Sequence, residues 1–212
     1  MKSLIPLILI CFTCSPVFAG KNRSSLPGGP VSGHAIIGKT ISWMTLDAYY
    51  KGKITRINLA DYKGRWIILF FYPSDFTIVC PTELKELAEY YSDFTSNGAE
   101  VFSISTDSAY VHRAWQKENA LLKEIKFPML SDRAGILSRS LGVYDELHGT
   151  AIRATFIIDP EGRIVAAEFS HDAIGRNAGE LLRKLDAAIA ISKGGGLCPA
   201  GWTEGAEMLK EQ

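Results

Sequence analysis

A chain of 212 residues, 47% hydrophobic and with 23 lysines and arginines against 23 aspartates and glutamates, can bury a core of one domain and is not generally disordered. Zero formal net charge, with no basic stripe interleaved with aromatics, excludes the electrostatic footprint of a nucleic-acid binder. Four cysteines, at positions 11, 14, 80 and 198, are too few for a disulfide-stapled scaffold.

The chain opens like a secretory leader. Lys2 precedes the apolar run Leu4 to Phe12, and Val17-Phe18-Ala19 before Gly20 puts small residues where a signal peptidase cleaves. A signal peptide is expected over residues 1–19, cleaved near Ala19, and with it a protein exported to the periplasm or the outside; if the segment is no signal, the protein is cytoplasmic. The apolar run is shorter than the ~20 residues a spanning helix needs, and Pro6 interrupts it, so no stable membrane insertion is expected. Cys11 and Cys14 have CxxC spacing but fall in the segment to be removed.

Residues 20–37, rich in Gly, Ser and Pro, read as a flexible lead-in. Residues 38–193 read as one domain. Strand-like patterns run from Lys39 to Leu46 and from Lys53 to Ile57. Ile67 to Tyr72 is an unbroken apolar run closed by Pro73, the signature of a strand buried on both faces. From Val79, the spacing of Leu84, Leu87, Ala88, Tyr91 and Phe94 predicts a helix ending before Gly98. A strand is expected over Val101–Ser105, a helix over Ala109–Lys123, an extended stretch at Phe127–Leu130 and a helix over Ala134–Leu141. Thr155–Asp159 and Arg163–Glu168 flank Pro160-Glu161-Gly162, a turn sequence that makes them a hairpin. Asn177 caps a last helix bearing Leu181, Leu185, Ala188 and Ile189. Residues 194–212 form a C-terminal segment with Cys198. Alternating strands and helices, followed by a hairpin and a helix, predict an α/β domain with a mixed central sheet.

An exported protein keeping Cys80 and Cys198 would ordinarily join them in a structural disulfide. The position of Cys80 argues for chemistry instead. It lies in the first turn of the Leu84 helix, where free amides and the helix dipole favour a thiolate, and Pro81 suits a first-turn site. Thr77 sits three residues ahead with a hydroxyl, Pro73 is placed to shield the sulfur from water, and Glu83 is either a routine first-turn glutamate or the partner of an arginine. The histidines at 34, 112, 148 and 171 have no metal-ligand spacing and read as surface or packing residues; Trp115 and Trp202 read as core or interface aromatics.

The string Phe71-Tyr-Pro-Ser-Asp-Phe-Thr-Ile-Val-Cys-Pro-Thr-Glu-Leu84 closely resembles the active-site segment of the typical two-cysteine peroxiredoxins. Arg153 to Gly162, Ile174-Gly-Arg-Asn177 and Cys198-Pro-Ala-Gly-Trp202 resemble further segments of that family in the same order. The resemblance implies a thioredoxin-like fold with N- and C-terminal extensions and a thiol peroxidase that reduces hydrogen peroxide and alkyl hydroperoxides. It implies Cys80 as the peroxidatic cysteine that becomes a sulfenic acid, Thr77 as a hydrogen-bond partner of the peroxide, Pro73 as a cover and Arg153 as the stabilising cation. Arg176 matches a second arginine beside it. Cys198 would resolve the sulfenic acid into a disulfide between two subunits. A homodimer associating into a decamer is implied, with a thioredoxin-like or flavoprotein disulfide reductase as electron donor. No cofactor or metal is expected, since no dinucleotide fingerprint or phosphate loop is present and the thiol does the chemistry.

Two other readings remain at this point. An exported thioredoxin-fold disulfide oxidoreductase would need a second cysteine close by, and Cys80 is followed by Pro-Thr-Glu. A peroxiredoxin-like holdase would turn over no peroxide. The chain lacks the Gly-Gly-Leu-Gly insertion and C-terminal Tyr-Phe helix of easily overoxidised family members. Little structure is therefore expected to hold Cys198 away from Cys80, and resistance to sulfinic overoxidation follows.

Overall fold

In the computed structural model, which describes residues 36–194 and 196–210, the apolar run from Trp66 is an interior strand of a seven-stranded sheet. Residues 1–35, with the expected leader, Cys11, Cys14 and His34, lie outside the described residues. In chain order the elements are β1 (Thr45–Tyr50), β2 (Lys53–Asn58), β3 (Trp66–Phe71), α1 (Cys80–Glu89), α2 (Tyr91–Ser96), β4 (Ala99–Ser105), α3 (Ala109–Glu118), β5 (Met129–Ser131), α4 (Ile136–Ser140), β6 (Tyr144–Asp145), β7 (Thr150–Ala151), β8 (Arg153–Ile158), β9 (Ile164–Ser170) and α5 (Ala178–Ser192). The sheet runs β2-β1-β5-β4-β3-β8-β9. β3 pairs parallel with β4, and β4 with β5, while the other neighbours are antiparallel, so the sheet is mixed as its sequence pattern predicts.

Every side chain of β3 is buried, because the strand is interior in the sheet and both faces are covered. Ile68, Phe70 and Tyr72 pack on one face with Leu84, Leu87, Phe94, Trp115, Leu181 and Leu185 from α1, α2, α3 and α5. Ile67, Leu69 and Phe71 pack on the other with Leu46, Leu59, Leu137 and Phe156. This alternation is the two-residue period of a strand read directly in the packing.

Several boundaries depart from the sequence pattern. The predicted strand Lys39–Leu46 is displaced toward the C-terminus, and β1 forms at Thr45–Tyr50. The earlier residues spend their backbone bonds on the β8–β9 hairpin: Gly38 N–H donates to Ile164 O at 2.7 Å and Ile41 N–H to Gly162 O at 3.0 Å. The single helix expected over residues 79–94 is two, because the chain leaves helical geometry at Tyr90 (φ −90°, ψ 1°). Phe94 still returns to the core, so apolar spacing reads through the break. The helix expected to reach Lys123 ends at Glu118, since Asn119 turns extended and its Oδ1 accepts from Leu121 N–H at 3.0 Å, capping a short 3-10 turn instead. The small hairpin β6–β7 has no apolar period to announce it. Gly162, in the tight turn between β8 and β9, needs its left-handed φ of 86°, and a Cβ there would meet the Trp43 ring at 2.5 Å.

Candidate active site

The topology gathers three chain segments at one end of the sheet. The parallel strand β3 delivers the loop 72–79 and the start of α1 from its carboxyl end, where parallel sheets open their crevices. β8, antiparallel to β3 with Phe71 opposite Ala154, begins at that same end with Arg153. β9, antiparallel to β8, finishes there and leads to Arg176.

Cys80 is fully buried in the first turn of α1, with Pro81 behind it. Arg153 Nη1 points at its Sγ from 3.3 Å. The same nitrogen donates to Glu83 Oε2, and Arg153 Nε donates to Asp172 O at 2.9 Å, so the guanidinium is fixed in the plane that faces the sulfur. Glu83 lies one turn beyond Cys80 and also accepts from Arg176. The Arg176 backbone N–H and Nε both reach Oε1 at 2.9 Å, and Nη2 reaches Oε2 at 3.3 Å. Arg176 Nη1 donates to Ala154 O at 2.8 Å and Thr155 Oγ1 at 2.9 Å, and its guanidinium lies 3.5 Å from the Phe70 ring centroid. Burial draws the Arg176 guanidinium down from its ordinary value, with the Glu83 hydrogen bonds opposing it.

This buried cluster counts two guanidinium charges against one carboxylate. The surplus positive charge faces Cys80 Sγ at the helix N-terminus. Glu83 is therefore the arginine partner rather than a routine first-turn glutamate. Arg153, at the start of a strand where an arginine is ordinarily solvated, is 3% exposed.

Thr77 and Pro73 lie in the half-buried loop ahead of Cys80. The Thr77 hydroxyl donates to Ser74 O at 3.0 Å, which fixes its rotor and leaves its oxygen free to accept. Phe76 between them takes a left-handed φ of 56°, a conformation an L side chain rarely adopts. Cys198 lies elsewhere. It sits half-buried against α5, with Sγ 3.7 Å from Ala187 O and 3.5 Å from Met208 Sδ, and both it and Cys80 are free thiols rather than a structural bridge.

One group that holds the loop escapes sequence reasoning. His112, read as a surface or packing residue, is wholly buried on α3, its Nδ1 2.8 Å from Asp75 Oδ2 and its Nε2 3.1 Å from Leu130 O. Its two ring nitrogens thus tie α3 both to the loop ahead of Cys80 and to β5. Tyr72 OH donates to Asp75 Oδ1 at 2.8 Å, and Asp75 N–H donates to Asp107 Oδ2 at 2.8 Å. Burial pushes the Asp75 carboxyl up while His112 pulls it down, and burial holds the Tyr72 phenol well above its ordinary value. The available signal was the spacing of His112 with Ala109 and Trp115, one buried helical face. Of the other histidines, His148 is exposed and pairs with Asp145 at 2.6 Å, and His171 Nδ1 accepts from Ala173 N–H at 3.1 Å. Among the described residues no His, Cys, Asp or Glu group is arranged to hold a metal, and no helix is long and apolar enough to cross a membrane.

On an α/β frame of this topology, a buried thiol facing a guanidinium at a helix N-terminus defines a class: the peroxiredoxin-type thiol peroxidases, with their thioredoxin-like fold. The chain belongs to the AhpC/TSA family, whose pattern matches residues 37–167. Alkyl hydroperoxide reductase C of Escherichia coli strain K12 is 42% identical over 163 residues, which are 76% of this chain and 87% of that protein. The protein of the same name from Amphibacillus xylanus is 41% identical over 178 residues, 83% of this chain and 95% of its own. Of solved structures, Enterococcus faecalis AhpC aligns with a TM-score of 0.74 at 45% identity, over 77% of this chain and 99% of that one. Reduced Plasmodium vivax 2-Cys peroxiredoxin aligns with a TM-score of 0.75 at 33% identity, over 81% and 91%.

Proposed function

We propose that Cys80 is the peroxidatic cysteine of this thiol peroxidase and that Cys198 of a second subunit resolves it. The Cys80 thiolate attacks one peroxide oxygen, the O–O bond breaks, and the sulfur becomes a sulfenic acid while the other oxygen leaves as water or alcohol once protonated. Arg153 stabilises the thiolate and the charge growing on the leaving oxygen, Thr77 accepts a hydrogen bond from the incoming peroxide, and Pro73 keeps bulk water off the sulfur. Glu83 and Arg176 hold Arg153 in place. Cys198 then attacks the sulfenic sulfur, the S–S bond forms, the S–O bond breaks, and water departs. Two electrons from a thioredoxin-like or flavoprotein disulfide reductase restore the thiols.

The observation that carries this reading is Arg153 Nη1 at 3.3 Å from a fully buried Cys80 Sγ. Relatives named alkyl hydroperoxide reductase C support alkyl hydroperoxides as substrates, and hydrogen peroxide offers the same O–O bond. Phe169 and Ile174, both exposed, flank Asp172, whose carbonyl holds Arg153, and they suit a homodimer face beside the active site. Exposed Phe76, Ile78 and Tyr110 offer a second apolar face, suited to joining dimers into a decamer.

Purified protein with a dithiol reductant should consume hydrogen peroxide and an alkyl hydroperoxide. The Cys80→Ser variant should not, and full turnover by that variant would refute the assignment. On a non-reducing gel the oxidised protein should run as a dimer that Cys198→Ser loses, while sedimentation of the reduced protein as a lone dimer would refute the decamer.

A further inference from the structure

The guanidinium that faces Cys80 is aimed from two sides. Glu83 receives its Nη1, and the carbonyl of Asp172 receives its Nε at 2.9 Å. Glu83 is itself fixed in the core by Arg176, whereas Asp172 sits in an exposed turn between β9 and Arg176. That turn runs from His171 to Ile174 and is closed by Ile174 N–H, which donates to His171 O at 2.9 Å. A side chain orients its central peptide: His171 Nδ1 accepts from Ala173 N–H at 3.1 Å.

The Ala173 N–H and the Asp172 carbonyl belong to one peptide group, and that peptide is trans. A trans peptide is planar, with N–H and C=O on opposite sides, so fixing one fixes the other. The imidazole on one side of the plane therefore sets the direction of the oxygen that receives Arg153 on the other. An imidazole nitrogen accepts only through its lone pair. The His171 ring must be neutral with its proton on Nε2, and a proton added at Nδ1 would set donor against donor.

We propose that His171 is a positioning residue for the peroxidatic step: its neutral ring orients the Asp172–Ala173 peptide, whose carbonyl aims Arg153 at Cys80 Sγ, and protonation of the ring releases that aim. This rests on the roles of Cys80 and Arg153 proposed above. His171 touches neither the peroxide nor the sulfur. The charged groups around the turn are Asp172 within it, Arg153 on β8 beside Ser170, Glu83 of α1 behind that arginine, and His148 with Asp145 from the β6–β7 hairpin. His148 is drawn up from its ordinary value by its hydrogen bond to Asp145, with a smaller contribution from Asp172, so hairpin and turn feel each other's charge.

The test reads the first chemical step alone. Pre-reduced protein is mixed with hydrogen peroxide at pH values from about 5 to about 8, the range across which histidine side chains ordinarily change charge. It is quenched at intervals with a sulfenic-acid trap, and oxidised Cys80, trapped or in a disulfide, is counted by mass spectrometry. Asparagine carries an oxygen that accepts from the N–H two residues on whatever the pH. His171→Asn should therefore match wild type at the alkaline end and outpace it at the acid end by roughly twofold to tenfold, the range set by one neutral hydrogen bond. His171→Leu has no acceptor, and should be slower than wild type by a like factor at the alkaline end and equal to it at the acid end. All these proteins carry the same Cys80, so titration of its thiol cancels in the ratios. His148→Gln should keep the wild-type pH course; loss of that course would place the titrating ring on the hairpin and overturn the assignment to His171. Ratios to wild type that stay constant with pH, as a merely structural role would give, also overturn it, and so does a wild-type rate in His171→Leu at the alkaline end. Wild-type protein in which peroxide leaves Cys80 unmodified overturns the peroxidase assignment instead.

Discussion

Glu83 accepts four hydrogen bonds, three from Arg176 and one from Arg153, at 3% exposure. It is the counter-charge that lets two guanidinium groups lie in the core beside Cys80, where an unpaired charge would cost several kcal/mol. In Glu83→Gln the volume is kept and the charge is lost, so the midpoint of urea unfolding should fall by an amount equivalent to about 3–5 kcal/mol. A midpoint unchanged from wild type would mean that the arginines find their compensation elsewhere. At this scale the sequence was legible where residues are neighbours in a motif. Pro73, Thr77, Cys80 and Glu83 share one string, and Arg153 and Arg176 each sit in another. Tyr72, Asp75 and His112 were not legible as a unit, because the pairing of His112 with Asp75 spans 37 positions and depends on where α3 lands. The role of His171 was unreadable for a related reason: its partner is the N–H of Ala173, a backbone group that no residue type announces.

The elements that matter are the ones that stop at the crevice. β3 ends, the loop crosses over α3, and the His112–Asp75 pair is the buried strut between loop and helix, both side chains at 0% exposure. His112→Leu would leave a buried Asp75 oxygen without its hydrogen-bond partner and should destabilise the fold by about 1–3 kcal/mol. Adding Asp75→Asn should restore part of that loss, since the unpartnered carboxyl is then removed. A double variant no more stable than His112→Leu alone would show that the pair does not act as a unit. Element type was readable from period in the long elements: β3 from its unbroken apolar run, α5 from its cap and its 3.6-residue spacing. What period cannot resolve is where a helix breaks while its apolar face continues, as at Tyr90 between Leu87 and Phe94. Nor does it reveal that residues before β1 pair with the distant Gly162 turn.

For the whole molecule, the electron donor follows from the compartment in which the protein works. We propose export with cleavage near Ala19, on the strength of the Lys2, Leu4–Phe12 and Val17-Phe18-Ala19 pattern. Outside the cytoplasm neither NADH nor ordinary thioredoxin is at hand, so an exported thioredoxin-like protein would have to recharge the Cys80–Cys198 disulfide. Cell fractionation with N-terminal sequencing should find a chain starting at Gly20 in the exported fraction. An intact Met1 in the cytoplasm would refute export and favour a flavoprotein or thioredoxin donor.

The pairing of β3 with β8 carries one more consequence. Phe71 stands opposite Ala154, and side chains alternate between the faces of the sheet, so a slip of one residue would turn Arg153 away from Cys80. A molecule zipped out of register would keep its cysteine and lose its chemistry. Turnover per titratable thiol is therefore a built-in assay of folding fidelity: it counts the molecules whose strands found their proper partners and passes over the rest in silence.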